Sequence, residues 1–357
     1  MTLPSSPNSI SMSQIANEFG FTDSPRTRLG DYRTLANGSN YPQSVGALSF
    51  SSIDGGGSVG TNNSQISMGQ FRGTQLQQVV NFWSSGAGGF RLNAKSRYNN
   101  NGTIGGNNEV AVIGGYRTRP SNSSGTKVHI HVNQDIGSER FDQDHCALRT
   151  GSWNSSTTLQ VDVGGSGEIL GAGGFGGNGA NGNSSGSQGG AGSSGLGVEY
   201  NATVNVASGG VISAGFGGGG GGGGAFDYDH KSWRTASGGG GGGGGGLPVG
   251  QGGAGGSGGA GGSGGSAATS LGEPGEGGSG GNNGGEAVGG SGGEGGSAPN
   301  NAADAGGNGS GGEGSGGAGG QGGPTGAAIR RTNNSISVTI NNNGSIHPNQ
   351  TLATTVQ

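Results

Sequence analysis

Apolar residues in the first half of the chain recur in short alternating or clustered runs, each bounded by Gly, Asn or Ser. Branched residues such as Val110, Val112 and Ile113, then Val128, Ile130 and Val132, then Leu159, Val161 and Val163 predict strands over 110–113, 127–132 and 157–163. Near the N-terminus a helical pattern is brief. Ser13 is placed to cap a turn running from Gln14 to Phe19, with Ile15 and Phe19 four apart on one face and Gly20 as the stop. Such a helix is too short to stand alone.

Two repeats organise these elements. Ile10-Ser11-Met12-Ser13-Gln14-Ile15 returns as Ile66-Ser67-Met68-Gly69-Gln70-Phe71, followed by Arg72. The shared hydrophobic spacing reads as a duplicated docking element carried by Ile10, Met12, Ile15, Phe19, Ile66, Met68, Phe71 and Arg72. A second repeat, at 159–170, 203–212 and 335–346, joins a branched run to a Gly, Ser or Asn corner and a second apolar pair. These are expected to be hairpin-like strand pairs that anchor each excursion into glycine-rich chain.

Composition turns that expectation into a division of the chain. Of 96 glycines among 357 residues, 74 lie between 164 and 328, and hydrophobic residues make up only 27%. Apolar side chains that could offset ordering entropy are therefore scarce in that stretch. Over 252–265 the sequence is nearly perfect Gly-Gly-X, and the period returns at 289–296 and 311–323. Period three is that of the extended left-handed helix. Ten prolines in the whole chain are too few for a collagen triplex. Polyglycine II helices, packed side by side through backbone hydrogen bonds with X facing outward, would satisfy the backbone without an oily core. The fold class expected is mainly β and irregular. Residues 1–75 form a docking segment with short helices, 76–163 a small β-rich domain, 164–328 a polyglycine II body with exposed loops, and 329–357 a C-terminal strand repeat.

The body is interrupted once by a dense packet. Between the glycine runs 217–224 and 239–246 stand Phe226, Asp227, Tyr228, Asp229, His230, Lys231, Trp233 and Arg234. On a rigid scaffold this packet would be a surface loop whose aromatic faces and directional polar groups suit contact with a sugar or a protein. The competing reading makes Phe226 and Trp233 a plug for the scaffold end. Smaller breaks at Leu247-Pro248-Val249, Leu271 to Pro274, Glu286 to Val288 and Ser297 to Asn300 read as turns.

Catalytic chemistry is not expected. There is no phosphate-binding glycine motif, and Asp142, Asp144, His145 and Cys146 lack a catalytic frame. With 16 basic and 20 acidic residues, the net charge of −4 disfavours nucleic acid. No run of 18 apolar residues supports membrane insertion. His129 and His131 share one face of an alternating strand. They read as solvent-facing residues, or, only if three chains met on an axis, as ligands for iron or another first-row metal. Otherwise no cofactor is expected. The thin apolar core leaves room for a homo-oligomer or a partner to complete it.

The string Ser9-Ile10-Ser11-Met12-Ser13-Gln14-Ile15, its repeat at 65–73 and the glycine region together resemble tail-fibre and receptor-binding proteins of tailed bacteriophages, fibre-tip adhesins above all. That resemblance implies a virion protein of the tail or tail fibre, with polyglycine helices in a compact body and variable loops exposed to the host. It implies that the N-terminal part docks on another tail or fibre protein. By the same resemblance, the packet from Phe226 to Arg234 contacts a bacterial outer-surface protein or polysaccharide. His129 and His131 are similar to His-x-His metal sites of trimeric phage fibres. A non-adhesive architectural part of tail, collar, baseplate or capsid surface is the alternative.

Overall fold

Alternation of branched and polar residues does its work across coils of the chain. A computed structural model describes residues 8–18, 53–55, 65, 67–72, 74–82, 92–93, 127–139 and 143–356, the last span excepting 183, 230–231, 258–259, 284–286, 300, 311–315, 349–351 and 355. In chain order the elements are α1 (Met12–Glu18), β1 (Ile53–Gly55), a 3-10 turn (Met68–Phe71), β2 (Thr74–Phe82), β3 (Leu92–Asn93), β4 (Lys127–Val132), β5 (Asp135–Gly137), β6 (Cys146–Arg149), β7 (Thr158–Val163), β8 (Glu168–Leu170), β9 (Ser194–Val198), β10 (Ala202–Val206), β11 (Val211–Ser213), β12 (Ala225–Asp229), β13 (Ser232–Ala236), β14 (Ile329–Arg331), β15 (Val338–Asn342), β16 (Ser345–His347) and β17 (Leu352–Thr354). The strand expected over 110–113 lies outside the described residues.

From β4 onward the chain visits three sheets in rotation. Strands β2, β4, β7, β10 and β15 build one parallel sheet, with β1 antiparallel on the β2 edge. Strands β5, β8, β11 and β16 build a second, and β3, β6, β9, β14 and β17 a third. The result is a parallel β-solenoid. The repeats expected as hairpin-like pairs are corrected by this register: β7 pairs with β4 and β10, not with β8, so each repeat turns a corner from one sheet to the next. The 127–137 segment is a further copy.

Stacking of equivalent residues makes the core. Ile130, Val161 and Val204 follow one another in register across β4, β7 and β10, and Ile136, Ile169, Ile212 and Ile346 do so across the second sheet. Leu148, Leu196 and Ile329 line the third. All belong to one buried cluster. At roughly 1.5–3 kcal/mol for each fully buried Val, Leu or Ile, the solenoid concentrates the apolar stabilisation that the overall composition withholds. Outward positions carry a polar ladder: Asn205 Nδ2 donates to Asp162 Oδ1 at 2.7 Å and Asn341 Nδ2 to Asn205 Oδ1 at 2.8 Å.

The glycine body grows out of one corner of this solenoid. Residues 171–193 join β8 to β9, and 214–328 join β11 to β14, so both excursions leave the second sheet and return to the third. Arg330 Nε donates to Ser194 Oγ at 2.6 Å, and that hydroxyl accepts the Ala327 N–H at 3.0 Å, tying the two return points together. Bonding within the body has a period of three. Gly218, Gly221 and Gly224 donate to the run 184–190, Gly219 and Gly222 to 239–242, and Gly220 and Gly223 to 304–307. Their carbonyls accept from 174–180, 290–296 and 317–323 in the same rotation. The run 238–245 is surrounded in the same way. Both central runs are buried throughout.

No side chain fits there. A Cβ added at Gly222 would overlap the Gly290 carbonyl, at Gly219 that of Gly293, and at Gly241 that of Gly219. Peripheral runs bond on fewer sides and carry the X residues. Turns at 247–249, 269–272 and 298–299 reverse the chain at the solenoid end, at three of the breaks in the triplets.

Overpacking against backbone carbonyls sets a matched pair of variants. Gly222→Ala is expected to cost at least about 1–3 kcal/mol in urea unfolding. Gly272→Ala, where an added Cβ meets nothing within 4 Å, stays within about 1 kcal/mol of the parent.

A pH effect follows from Glu168, which stands beside Asp135 in register. Partial burial, and then the Asp135 charge, push its carboxyl above the usual range. The folded chain holds this proton more tightly than the unfolded chain, so the ionised form is penalised at neutral pH. Glu168→Gln should raise the melting temperature at pH 7. That gain should shrink as pH falls through the raised titration of Glu168.

Candidate functional site: the distal aromatic hairpin

The two central glycine runs are joined, at the end away from the solenoid, by the packet of aromatic and charged residues. It is not a loop. Residues of β12 and β13 pair antiparallel, with Phe226 opposite Thr235, Asp227 opposite Arg234 and Tyr228 opposite Trp233. His230 and Lys231, at the tip, lie outside the described residues, as does the side chain of Asp229. Because directly opposed residues share a face, Phe226, Tyr228 and Trp233 fall on one side and Asp227 and Arg234 on the other.

The aromatic side is solvent-facing. Trp233 is 66% exposed and Tyr228 44% exposed. The Tyr228 and Trp233 rings lie 4.7 Å apart and those of Phe226 and Trp233 5.3 Å apart, both tilted. Tilted contacts at such spacing are favourable, so the rings stiffen the hairpin while leaving their outer faces open. That exposure removes the reading of Trp233 as a plug. Asp227 is buried on the inner side.

The base of the hairpin is fixed by neighbouring runs. Ala225 and Ala236 are fully buried. Ala225 makes an antiparallel bridge to Gly316, and Ala236 a parallel one to Ala260. Asn283 Nδ2 donates to the Thr235 carbonyl at 3.1 Å. Around it lie other distal features: Ser184, whose N–H donates to the Asn181 carbonyl at 3.1 Å and whose own carbonyl accepts the Gly224 N–H at 3.0 Å, and the Val288–Ser310 bridge. Val288 is exposed, as is Phe175 on the flank of the body. Sequence reasoning missed Asn283 because nothing in a Gly-Asn-Asn-Gly string says which run will stand beside it.

The duplicated N-terminal strings adopt matching turns. Ser11 N donates to Gln14 Oε1 at 2.8 Å, and Ser67 N to Gln70 Oε1 at 2.8 Å. Both are capping boxes. The cap of α1 is therefore Ser11, not Ser13, since only Ser11 stands three residues before a glutamine. Ile15 and Phe71 occupy the same place in the repeat and are both fully buried, while Ile10, Met12, Met68 and Arg72 are half-buried. Phe19 and Ile66 lie outside the described residues.

His131 is buried, which corrects its reading as a solvent-facing residue; its Nδ1 lies 3.7 Å from Asp162 Oδ2. The His129 side chain lies outside the described residues. Among the described residues no group of three metal-ligating side chains forms. No helix among them is long and apolar enough to cross a membrane. Asp142 is outside the described residues. Asp144 Oδ1 lies 3.4 Å from an Arg330 Nη1, and Cys146 Sγ donates to the Asp144 carbonyl at 3.5 Å.

The chain is similar to the gp37-gp38 adhesin tip complex of the bacteriophage S16 long tail fibre. The likeness is to a phage tail-fibre tip. It covers 98% of this chain and 99% of that one at 16% identity and a TM-score of 0.35. At that level it adds no weight to the geometry, which stands on this chain's own bonds. No family model matches the chain, and no curated protein does.

Burial pushes the Cys146 thiol up to about 12, against the lowering pull of Arg330 and Arg149. A thiol so held stays neutral and is no nucleophile. Folded protein is expected to leave Ellman's reagent unreacted at mildly alkaline pH, and the single cysteine to titrate fully once the chain is unfolded.

Proposed function

We propose that the chain is a structural protein of a bacteriophage tail fibre, built on polyglycine II helices, and that it binds the host from the distal hairpin. The reading is supported by the duplicated Ile-Ser-Met strings, which resemble phage tail proteins, and by the period-three bonding of the glycine runs. The observation that carries it is the placement of Trp233 and Tyr228. Two exposed aromatic rings stand on a hairpin rooted in the two central runs of a rigid body, at its far end. Large aromatics exposed on a stiff support are the composition of an interaction hot spot.

The N-terminal segment is assigned to docking on another tail or fibre protein. Its two capping-box turns are alike in bonding and in which residue they bury, as expected if both meet equivalent surfaces. A bacterial outer-surface protein or polysaccharide is the proposed receptor. Neither metal nor cofactor has a part in the reading.

The hairpin can be tested apart from the scaffold, because the Tyr228 and Trp233 side chains are exposed. The double variant Tyr228→Ala and Trp233→Ala should unfold within about 1 kcal/mol of the parent. Each lost aromatic contact of about 2 kcal/mol in a hot spot would weaken adsorption to host cells by more than tenfold. Adsorption unchanged in a folded variant removes the hairpin from the contact surface. If the parent chain fails to bind host cells, and virions lacking it assemble wrongly, the architectural role is the correct one.

A further inference from the structure

An asparagine followed by glycine can convert itself. The glycine nitrogen has no neighbouring Cβ to obstruct its approach to the preceding side-chain amide. Asn178-Gly179, Asn181-Gly182, Asn308-Gly309 and Asn343-Gly344 all fall within the described residues. Three of their glycine N–H groups are held: Gly179 donates to the Ala254 carbonyl at 2.9 Å, Gly309 to the Gly317 carbonyl at 2.9 Å, and Gly344 to Asn342 Oδ1 at 3.0 Å.

Gly182 differs. It occupies the distal turn with φ at 55°, an added Cβ would meet nothing within 4 Å, and its N–H makes no hydrogen bond among the described residues. The electrophile is already posed. Asn181 is exposed, and its Oδ1 accepts the Ser257 N–H at 2.5 Å, a donor aimed where negative charge develops when the side-chain carbon is attacked. Asn178 and Asn308 share that polarisation, since their Oδ1 atoms accept the N–H groups of Ala254 and Gly319, each at 2.9 Å. Only the nucleophile separates the cases.

We propose that Asn181 is a self-modifying site. The Gly182 nitrogen bonds to Asn181 Cγ, the Cγ–Nδ2 bond breaks, and Nδ2 leaves as ammonia with the proton that Gly182 gives up. The cyclic imide then takes up water at either carbonyl, giving aspartate or isoaspartate. In net terms, amide and water become carboxylic acid and ammonia, with no change of oxidation state. A carboxylate appears in the turn whose Ser184 carbonyl accepts from Gly224, the residue before β12. The isoaspartyl form also lengthens the backbone inside the turn closed by Ser184 N donating to the Asn181 carbonyl at 3.1 Å. The distal face therefore gains negative charge with age, while the lattice asparagines persist. This does not depend on what the hairpin binds.

The full-length chain is incubated at mildly alkaline pH in water enriched in heavy oxygen, and its peptides are sequenced by tandem mass spectrometry. Conversion with one heavy oxygen is expected at Asn181 at least roughly tenfold faster than at Asn178 or Asn308, where the glycine N–H must first leave its backbone hydrogen bond. In guanidinium the three rates should converge, because the fold no longer separates them. Equal rates in the folded chain, or no conversion at Asn181, would overturn the proposal. An Asn181 preference that survives unfolding would also overturn it, because local sequence would then be the cause.

Discussion

In the central glycine runs a neighbouring carbonyl occupies the space where any other residue would place its Cβ. This single steric fact fixes much else. Bonding of period three turns successive N–H and C=O groups in rotation, so a fully surrounded run meets a different neighbour at each step. All its positions are then closed to side chains. Runs bonded on fewer sides can afford a residue at every third place. Ordering a residue's backbone costs about 1–2 kcal/mol, and a hydrogen bond returns about 0.5–1.5 kcal/mol net. A body of this kind holds only where nearly every group is bonded and the packing is dense.

The solenoid supplies what the glycine runs lack. Its isoleucine, valine and leucine stacks order the coils, and strands β8 and β11 deliver the chain to residues 171 and 214 already in register. Gly171 N donates to the Ser213 carbonyl and Gly215 N to that of Ser193, so sheet bonding passes into lattice bonding without a break. Ser194, held by Arg330 and Ala327, locks the return. Loop-closure entropy for two long excursions is thus met at one corner, where both are gathered.

Legibility in the sequence followed the period of the signal. Gly-Gly-X is written in the chain, and the unbroken runs 217–224 and 238–246 mark the positions with no open side. The solenoid was harder to read. Its coils are separated by insertions, so the equivalence of Ile136, Ile169, Ile212 and Ile346 is visible only when 171–193 and 214–328 are set aside. Consecutive strands such as β7 and β8, which lie in different sheets and pair with the next coil, also look, over a short window, like the two arms of a hairpin. Conversely, the real hairpin reads as a loop in the sequence, since the alternation Phe226-Asp227-Tyr228-Asp229 spans only four residues and is flanked by glycine runs. His131 shows the same limit: period two says which face a residue shares, not whether that face is covered.

The periphery shows how the lattice ends without becoming adhesive along its sides. Where the outer N–H of one run has no neighbouring carbonyl, an X side chain takes its place: Asn178 Oδ1 accepts Ala254 N, Ser263 Oγ accepts Ser279 N, and Ser266 Oγ accepts Glu276 N. Serine and asparagine at X are therefore part of the bonding scheme, and they satisfy groups that would otherwise resemble an open sheet edge. The distal hairpin is under no such rule. Ala225 and Ala236, at its roots, are fully buried and Asp227 is buried on the inner side, whereas Tyr228 and Trp233 are exposed, so these two positions can change at little cost to the lattice. Two constraints therefore meet at the hairpin roots: carbonyls close the central runs to side chains below them, and beyond them exposure leaves Tyr228 and Trp233 outside the bonding scheme.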